Sequence, residues 1–221
     1  MGKFGIIAQH QDFVVAYKPC GVSFHSESEA GFVALLEQQL NMSLFPVHRL
    51  DKPTSGLIVL ATSSEAAAAL TTLFTQRQVN KFYFALVTDK PKKKQGWVKG
   101  DMAKSRRGTY KLLKSQENPA ITRFYSVSVA AGVRACLMKP FSGKTHQLRV
   151  ALKSLSAPIL GDVNYGGKSA DRVYLHAFYL AFEWNGEYLS FSAKPKEGEH
   201  FAQLVTHDIY NSWQQPEQLE W

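Results

Sequence analysis

The pattern of apolar and polar positions along the chain predicts strands more often than helices. Several short runs are apolar and rich in β-branched or aromatic residues, which is typical of strands in a sheet. Two pairs of such runs are separated only by the turn sequences Ala131-Gly132 and Asn185-Gly186, and this spacing predicts β-hairpins. The predicted strands are 12–18, 55–62, 81–88, 122–130, 133–139, 173–183 and 187–193, with 46–51 extended.

Fewer segments show the spacing of a helix. The segment 31–40 places its apolar residues on one helical face, and Ser or Thr residues stand as potential N-caps before two other segments. Because helices are few and strands are joined mainly by hairpins, the pattern favours an α+β fold with a mixed, largely antiparallel central sheet and flanking helices. The predicted helices are 31–40, from Ser63 or Ser64 to about Gln78, from Thr145 to Leu155, and an acidic segment at about 196–221.

Length and composition then limit the class of protein. With 221 residues, of which 45% are hydrophobic and 12% aromatic, the chain can bury a sizeable core, which excludes disordered and fibrous classes and favours one domain over 1–221. No apolar run approaches the roughly 20 residues of a membrane span, and no secretory signal is visible. Cys20 and Cys136 have neither metal-ligand spacing nor the density of a disulfide scaffold, so a cytoplasmic location is expected.

The positive charge of the chain is concentrated in one segment. The 26 Lys and Arg against 18 Asp and Glu give a net charge of +8. Residues 89–114, hereafter the basic window, hold ten basic and two acidic side chains, so that 10 − 2 = +8 and the remaining chain sums to zero. Glycines and a proline interrupt this segment, which therefore predicts turns and short hairpin strands. Such a segment suits nucleic-acid phosphates, or it is a solvated lysine-rich loop.

A second segment surrounds a single carboxylate with positive charge. Asp51 lies in the sequence His48-Arg49-Leu50-Asp51-Lys52, directly before a predicted strand, so it is a candidate nucleophile or anchor. The alternative is a solvated turn in which Asp51 pairs with its neighbours. Ser55 beside His48 and Asp51 also suggests a hydrolase, but a nucleophile elbow stands between a strand and a helix, and here the strand comes afterwards.

Two further segments carry polar groups that could meet a ligand. A turn at Ser142-Gly143 that leads into a helix at Thr145 would offer free backbone amides to a phosphate, with Arg149 on the helical face of His146, unless this is an ordinary capped surface helix. Tyr83, in the predicted strand 81–88, is either a packed core tyrosine or a flat ring on which a base can stack. The side chains expected to reach outward from the first helical turn are Lys144, His146 and Gln147.

Taken together, these segments resemble the RluA-type pseudouridine synthases, which isomerise selected uridines in structured RNA. Less specific similarity extends the resemblance to roughly residues 10–195, and five motifs in the same order make a chance match implausible. Two positions depart from the family pattern, since Ala151 stands where a histidine is frequent and Lys144 replaces a frequent arginine. The matching motifs are His48–Asp51 with Thr54–Leu57, Lys81-x-Tyr83-x-Ala85-x-Val87, Gly143–Arg149, Pro158–Asp162 with Tyr165–Gly167, and Leu175-His176-Ala177.

The resemblance implies a role for several residues. Asp51 would be the catalytic aspartate that attacks the target nucleotide, and Arg149 would pair with it and keep the carboxylate ionised and aimed. Tyr83 would stack on the flipped uracil and take the proton from its C5. Arg49 would insert among the bases that the flipped uridine leaves, which offsets a few kcal/mol of unstacking, and Leu175 would pack beneath the base.

The resemblance also implies partners. The substrate would be a structured stem-loop of ribosomal or transfer RNA, bound by a monomer, and the isomerisation calls for neither a cofactor nor a metal. We expect the chain to start at the catalytic domain without an S4-type module, and we expect the basic window to form a mobile flap that holds RNA phosphates. The alternative is a non-catalytic RNA-binding module that uses Trp97 and Tyr110 of the same window. The residues expected to contact RNA are His48, Arg49, Lys92, Lys93, Lys94, Arg106, Arg107, Lys144, Thr145, His146, Gln147 and Leu175.

Overall fold

A computed structural model describes residues 4–26 and 29–221 of the chain. The strands are β1 (Ile6–Gln9), β2 (Phe13–Lys18), β3 (Phe45–Pro46), β4 (Ser55–Ala61), β5 (Asn80–Val87), β6 (Gln95–Gly100), β7 (Met102–Lys104), β8 (Tyr110–Leu112), β9 (Ala120–Ala130), β10 (Val133–Pro140), β11 (Leu175–Trp184) and β12 (Glu187–Ser192). The helices are α1 (Phe32–Leu40), α2 (Ser64–Thr75), α3 (Gln147–Ser154), α4 (Glu199–Thr206) and α5 (Asp208–Ser212).

The chain divides into two compact units. The first comprises Met1–Lys81 and Ala177–Lys194, and the second Phe82–His176 and Pro195–Trp221. The assignment of the chain to one domain stays a prediction. Within the part of the chain that the structure describes, no helix is both long and apolar enough to cross a membrane.

The first unit has two strands at its centre, β2 and β4, that are buried along their whole length. β2 pairs antiparallel with β1 and with β4, and both β2 and β4 consist entirely of buried residues. Their apolar side chains pack with Leu70 of α2 and with Phe182 of β11. β11 and β12 form the predicted hairpin, in which Asn185 and Gly186 both have positive φ, as a tight two-residue turn between twisted strands requires.

The second unit contains the longer hairpin. β9 and β10 pair across Ala131-Gly132 as predicted, β5 joins β10 and β6 joins β9, so the strand order is β5-β10-β9-β6. Helix α5 lies against β5, where Phe84 contacts the rings of Tyr210 and of Trp213, the residue after the helix. The predicted α+β class with a largely antiparallel sheet is confirmed.

Two predicted segments have other bounds in the structure. In the predicted extended segment 46–51 only Pro46 belongs to a strand, the end of β3. Helix α2 has Ser63 as its N-cap, as expected, but it ends at Thr75 rather than Gln78, because Arg77 adopts a left-handed φ of 61°.

The prediction that Thr145 caps α3 is wrong. The helix begins at Gln147, and the N-cap position belongs to His146, which has a φ of 57° and makes no side-chain cap. The reason is a separate turn just before the helix. The N–H of Gln147 donates to Lys144 O at 3.1 Å, while the N–H of Lys144 donates to Oε1 of Gln147 at 3.0 Å. These two bonds close the turn over residues 144–147, so helical geometry starts only after it.

Candidate active site

In the first unit, Asp51 lies in a short turn immediately before β4. The N–H of Thr54 donates to the carbonyl oxygen of Asp51 at 2.9 Å, and Thr54 and Ser55 are buried. Asp51 itself is partly exposed, and Arg49 and Lys52 on either side of it are exposed. The turn therefore presents a carboxylate at the surface from the end of a rigid, fully buried strand.

Lys18, to which no motif points, holds this turn. Its side chain is fully buried, and its Nζ donates to the carbonyl oxygens of Lys52 at 3.2 Å and of Thr54 at 3.0 Å, and also to that of Pro19 at 3.0 Å. A buried ammonium is costly unless its donors are satisfied, so these carbonyls stabilise Lys18 as much as it orders them. The available signal was a lysine that ends an otherwise apolar strand directly before a proline.

His48 is a structural histidine in this arrangement. Its Nε2 accepts a hydrogen bond from the N–H of Val59 at 2.9 Å, and its ring stacks on Phe74 with centroids 4.3 Å apart. Burial and the positive charge of Lys81 lower the pKa of His48 to about 3. The ring is therefore neutral at physiological pH, with its proton on Nδ1. This geometry favours a role in fixing the segment before Asp51 over direct contact with RNA.

The same observations remove the hydrolase hypothesis. Ser55 is completely buried as the first residue of β4, so a substrate cannot reach its hydroxyl. His48 accepts a backbone N–H through Nε2, and that bond occupies the nitrogen it would need to act as a base. Neither partner of the supposed pair is placed for nucleophilic catalysis.

In the second unit, Tyr83 lies in β5 opposite Met138 of β10. Its neighbours Phe82 and Phe84 are fully buried, whereas Tyr83 is partly exposed. Because side chains alternate along a strand, Tyr83 is on the face opposite the one that Tyr210 of α5 covers at Phe84. Its ring therefore belongs to the face on which α5 does not pack.

Arg149, in the first turn of α3, is held in a bidentate ion pair. Its Nε donates to Oδ2 of Asp162 at 2.7 Å and its Nη2 to Oδ1 at 2.8 Å, and the two residues are 4% and 1% exposed. Asp162 follows Gly161, whose φ is +83° and whose Cα lies so close to Arg172 that an added Cβ would be 1.7 Å from that residue's carbonyl oxygen. A glycine is thus required where the chain turns to present Asp162.

Gln147 does not reach outward, contrary to the sequence expectation. It is 5% exposed, and its Oε1 accepts from the hydroxyl of Ser142 at 2.8 Å. Its Nε2 donates at 3.0 Å to the carbonyl oxygen of Ile121 and to Oγ1 of Thr122. Gln147 therefore ties the turn to β9 and is not available to RNA. The neighbours Lys144, Thr145 and His146 are partly exposed, as expected for ligand-facing groups.

Leu175, at the start of β11, is buried. The buried guanidinium of Arg172 supports its backbone, because Nη2 donates to the carbonyl oxygen of Leu175 at 3.4 Å. Arg172 also donates to the carbonyl oxygen of Glu197 at 3.3 Å and forms an ion pair with its carboxylate at 3.7 Å. Arg172 consequently links the start of β11 to the segment before α4.

The basic window contains two different structures. Its first part, including the exposed Lys92, Lys93 and Lys94, leads into β6, which pairs with β9. Its second part is the separate hairpin of β7 and β8, whose tip carries the exposed Arg106 and Arg107. The prediction of turns and short hairpin strands is confirmed, and a flap of the kind expected would be the β7–β8 hairpin alone.

Trp97 of β6 is 40% exposed and is flanked by cations. Nζ of Lys99 lies 4.6 Å from its ring centroid, and the guanidinium carbon of Arg123 lies 5.2 Å away. Trp97 pairs with Arg123, which pairs with Lys139, whereas Tyr83 pairs with the preceding residue, Met138. Trp97 and Tyr83 are therefore on opposite faces of this sheet, so a base stacked on one cannot also meet the other.

Within residues 4–26 and 29–221 no group of three or more His, Cys, Asp or Glu side chains could hold a metal ion.

Comparisons with known proteins identify the family of this chain. The model of the RNA pseudouridylate synthase family matches residues 12–154. An uncharacterised RNA pseudouridine synthase of Haemophilus influenzae is 47% identical over 198 residues, which are 88% of each chain. The tRNA pseudouridine synthase C of Vibrio vulnificus is 34% identical over 212 residues, covering 80% of this chain and 84% of that one. The solved structure of human RNA pseudouridylate synthase domain containing 4 covers 91% of both chains with a TM-score of 0.74 at 26% identity.

The region matched by the family model contains Asp51, Tyr83 and Arg149, and it covers well over half of the chain. The resemblance inferred from the ordered motifs is therefore confirmed, and this chain belongs to the RNA pseudouridylate synthase family.

Proposed function

We propose that this RNA pseudouridine synthase isomerises a uridine in structured RNA by means of Asp51, Tyr83 and Arg149. In the reaction the bond between N1 and C1′ breaks, the uracil turns, and a bond forms between C5 and C1′. N1 gains a proton and C5 loses one, so atoms balance without an external reagent. The protein must therefore bring a flipped base, a carboxylate and a proton acceptor together.

In this proposal Asp51 attacks the target nucleotide as a carboxylate. Its place in a turn that Lys18 fixes through the carbonyl oxygens of Lys52 and Thr54 supports the role, because a reacting group must be held within a few tenths of an ångström. Arg49, exposed two residues earlier, takes the place of the flipped base in the stack.

Tyr83 stacks on the flipped uracil and takes the proton from C5. Support comes from its partial exposure. Phe82 and Phe84 on either side are fully buried, so of these three rings that of Tyr83 is the one a ligand can reach. Arg149 keeps the Asp51 carboxylate ionised and aimed. Asp162 supports this role, because a bidentate partner fixes the plane of a guanidinium better than a single hydrogen bond does.

The observation that carries the proposal is that the family match spans residues 12–154, the part of the chain in which all three of these side chains lie. The proposal does not include Gln147 and His48 as RNA contacts, because Gln147 is buried and Nε2 of His48 accepts a backbone hydrogen bond.

We further propose that the enzyme acts as a monomer and that its substrate is a stem-loop of transfer or ribosomal RNA. The name of the Vibrio vulnificus relative favours transfer RNA.

The test uses RNA labelled with tritium at C5 of uridine, transcribed in a cell that lacks this protein. The wild-type protein should release tritium, and Asp51→Asn should release none. Asp89→Asn, which alters an exposed carboxylate elsewhere in the chain, is the matched control and should behave as wild type. Equal release by wild type and Asp51→Asn would refute the role of Asp51. Mapping pseudouridines in RNA from the deletion strain then identifies the target.

A second candidate function is that of a non-catalytic RNA-binding module. The exposed Trp97, with Lys99 and Arg123 beside its ring, is the observation in its favour. This alternative expects RNA to bind to the wild type with no tritium release on any substrate. Detection of pseudouridine in the reacted RNA excludes it.

A further inference from the structure

Tyr165 lies at the meeting point of three segments of the second unit. It belongs to the turn that follows Asp162, and although it is 4% exposed, its hydroxyl has two polar neighbours. The N–H of Tyr110 donates to its Oη at 3.0 Å, and Nδ1 of His146 lies 2.8 Å from the same oxygen. The phenol thus contacts the β7–β8 hairpin on one side and the residue before α3 on the other.

The groups involved fix the direction of one of these hydrogen bonds. A backbone N–H can only donate, so the bond from Tyr110 uses a lone pair of Oη. The bond between Oη and Nδ1 of His146 forms with either group as the donor, because the role of a ring nitrogen depends on the tautomer of the histidine. In both cases the phenol oxygen is hydrogen-bonded to both segments.

The ring of Tyr165 also contacts Arg149. The guanidinium carbon lies 4.7 Å from the ring centroid, within the range of a cation–π interaction. The backbone of Tyr165 is held by Asp162, since its N–H donates to the carbonyl oxygen of Asp162 at 3.0 Å. Asp162 is in turn the carboxylate partner of Arg149. Arg149 is therefore held by the carboxylate of Asp162 and by the ring of Tyr165, both from one short turn.

The other contact of the phenol is with the β7–β8 hairpin, whose tip is basic and exposed. Tyr110 begins β8 and pairs with Lys104 of β7, so its N–H lies at the end of the two strands that adjoins the loop between them. Arg106 and Arg107 form the exposed tip between the two strands. The ring of Tyr110 also contacts that of His146, with centroids 5.6 Å apart. A movement of the hairpin would alter both contacts of Tyr110.

We propose that Tyr165 is a positioning residue that couples RNA binding by the β7–β8 hairpin to the alignment of Arg149. This inference rests on the proposed function. Phosphates held by Arg106 and Arg107 fix the hairpin, the bond from Tyr110 then fixes the phenol, and the phenol fixes the face of the Arg149 guanidinium. Because such coupling is reciprocal, an aligned Arg149 also favours the hairpin position that binds RNA.

The variant that tests the proposal is Tyr165→Phe, which keeps the ring and removes only the hydroxyl. On the tritium-labelled RNA from the deletion strain, we expect its initial rate at saturating RNA to fall about tenfold, the size of effect that follows from a small misplacement of a catalytic group. Thermal melting establishes that the variant is folded. Hydrogen exchange at the amide of Tyr110 should become faster, because its acceptor is lost.

The decisive measurement repeats Tyr165→Phe in a protein that already carries Arg106→Gln and Arg107→Gln. If the hydroxyl acts through the hairpin, its removal there should change the rate less than twofold. A purely structural hydroxyl would cost the same factor in both backgrounds, because effects at uncoupled sites add. Equal factors would therefore overturn the proposal, and so would an unchanged exchange rate at Tyr110.

Tyr174→Phe is the matched control. Tyr174 is a buried tyrosine of the same unit whose hydroxyl donates to Asp171 and accepts the N–H of His200, remote in sequence from the hairpin. Its removal should give the same factor in both backgrounds. If the wild type forms no pseudouridine, the proposed function fails. The coupling is then tested by the RNA affinity of the wild type, of Tyr165→Phe, of the Arg106→Gln and Arg107→Gln protein, and of the protein with all three substitutions. Additive losses of affinity would overturn the proposal.

Discussion

Arg149 and Asp162 form a bidentate ion pair in which both side chains are almost completely buried. Two parallel hydrogen bonds fix the plane of the guanidinium as well as its position. Such a pair contributes little net stability when intact, but the loss of one partner leaves a buried charge without compensation. Its function is therefore to hold Arg149 in one orientation, and this can be measured separately from stability.

Replacement of Asp162 by Asn should release the guanidinium while keeping the shape of the site. We expect the free energy of unfolding to fall by about 3 kcal/mol, the lower end of the cost of breaking a buried pair. The rate at saturating RNA should fall more than the RNA affinity. Urea unfolding and tritium release measure the two effects, with Asp89→Asn, an exposed carboxylate of the same unit, as the control. Unchanged rate in a stable Asp162→Asn protein would contradict the role given to the pair.

Gly56 in β4 should not tolerate a side chain. Its φ is +116°, and an added Cβ would lie 2.1 Å from the carbonyl oxygen of Ala177 in β11. Since both strands are buried there, neither backbone can move away, and Gly56→Ala should cost roughly 3 kcal/mol or more from strain and overpacking. The matched control is Gly132→Ala in the β9–β10 turn, where φ is +68° but no atom lies within 4 Å. That variant should cost only about 1–2 kcal/mol, measured by urea unfolding. Equal costs would refute the close approach.

The strands and the two hairpins could be predicted because their signals are local. Alternation and turn residues such as Asn185-Gly186 are read from adjacent positions, and the structure confirms them. The start of α3 could not be predicted in the same way. Thr145 is a suitable N-cap by residue type, but Gln147 closes a different turn through contacts with β9, which is distant in sequence.

The candidate site was predictable only in part, for a similar reason. Motifs located Asp51, Tyr83 and Arg149 without any knowledge of their surroundings. The residues that hold these groups, such as Lys18 and Asp162, depend on contacts between segments that no local pattern reveals. Lys18 reads as the last residue of a strand, and only the structure shows that its ammonium orders the turn after Asp51.

The two parts of the basic window should contribute separately to RNA binding. Binding that depends on phosphate contacts weakens as salt rises, and each lost contact should reduce the log–log slope by roughly 0.7–0.9. Replacing Arg106 and Arg107 by Gln should lower the slope through loss of contacts at the hairpin tip. Replacing Lys92, Lys93 and Lys94 by Gln tests the exposed loop before β6 in the same way.

Equal removal of charge elsewhere controls for the net charge of the protein. Lys194→Gln with Lys196→Gln removes two exposed lysines outside the basic window and should leave the slope unchanged. Filter binding at a series of salt concentrations gives the slopes. If the Arg106 and Arg107 variant keeps the wild-type slope, the hairpin does not contact phosphates.

The stability of the protein should fall in mild acid because of His48. The pKa of His48 is lowered to about 3 in the folded state, whereas in the unfolded chain it returns to its ordinary value of 6.5. Above pH 6.5 neither state binds the proton, so this contribution is complete there. Between about pH 6.5 and 3 only the unfolded chain binds it, and stability falls by about 1.4 kcal/mol per pH unit.

His48→Gln removes this dependence, so its unfolding free energy should fall less steeply than that of wild type in urea titrations from pH 7 to pH 4. His25→Gln, which alters an exposed histidine, should keep the wild-type slope. An NMR signal of His48 that shifts between pH 7 and 5 would show that the ring is protonated in the folded protein. That result would contradict its structural role, in which Nε2 accepts from the N–H of Val59 and the ring stacks on Phe74.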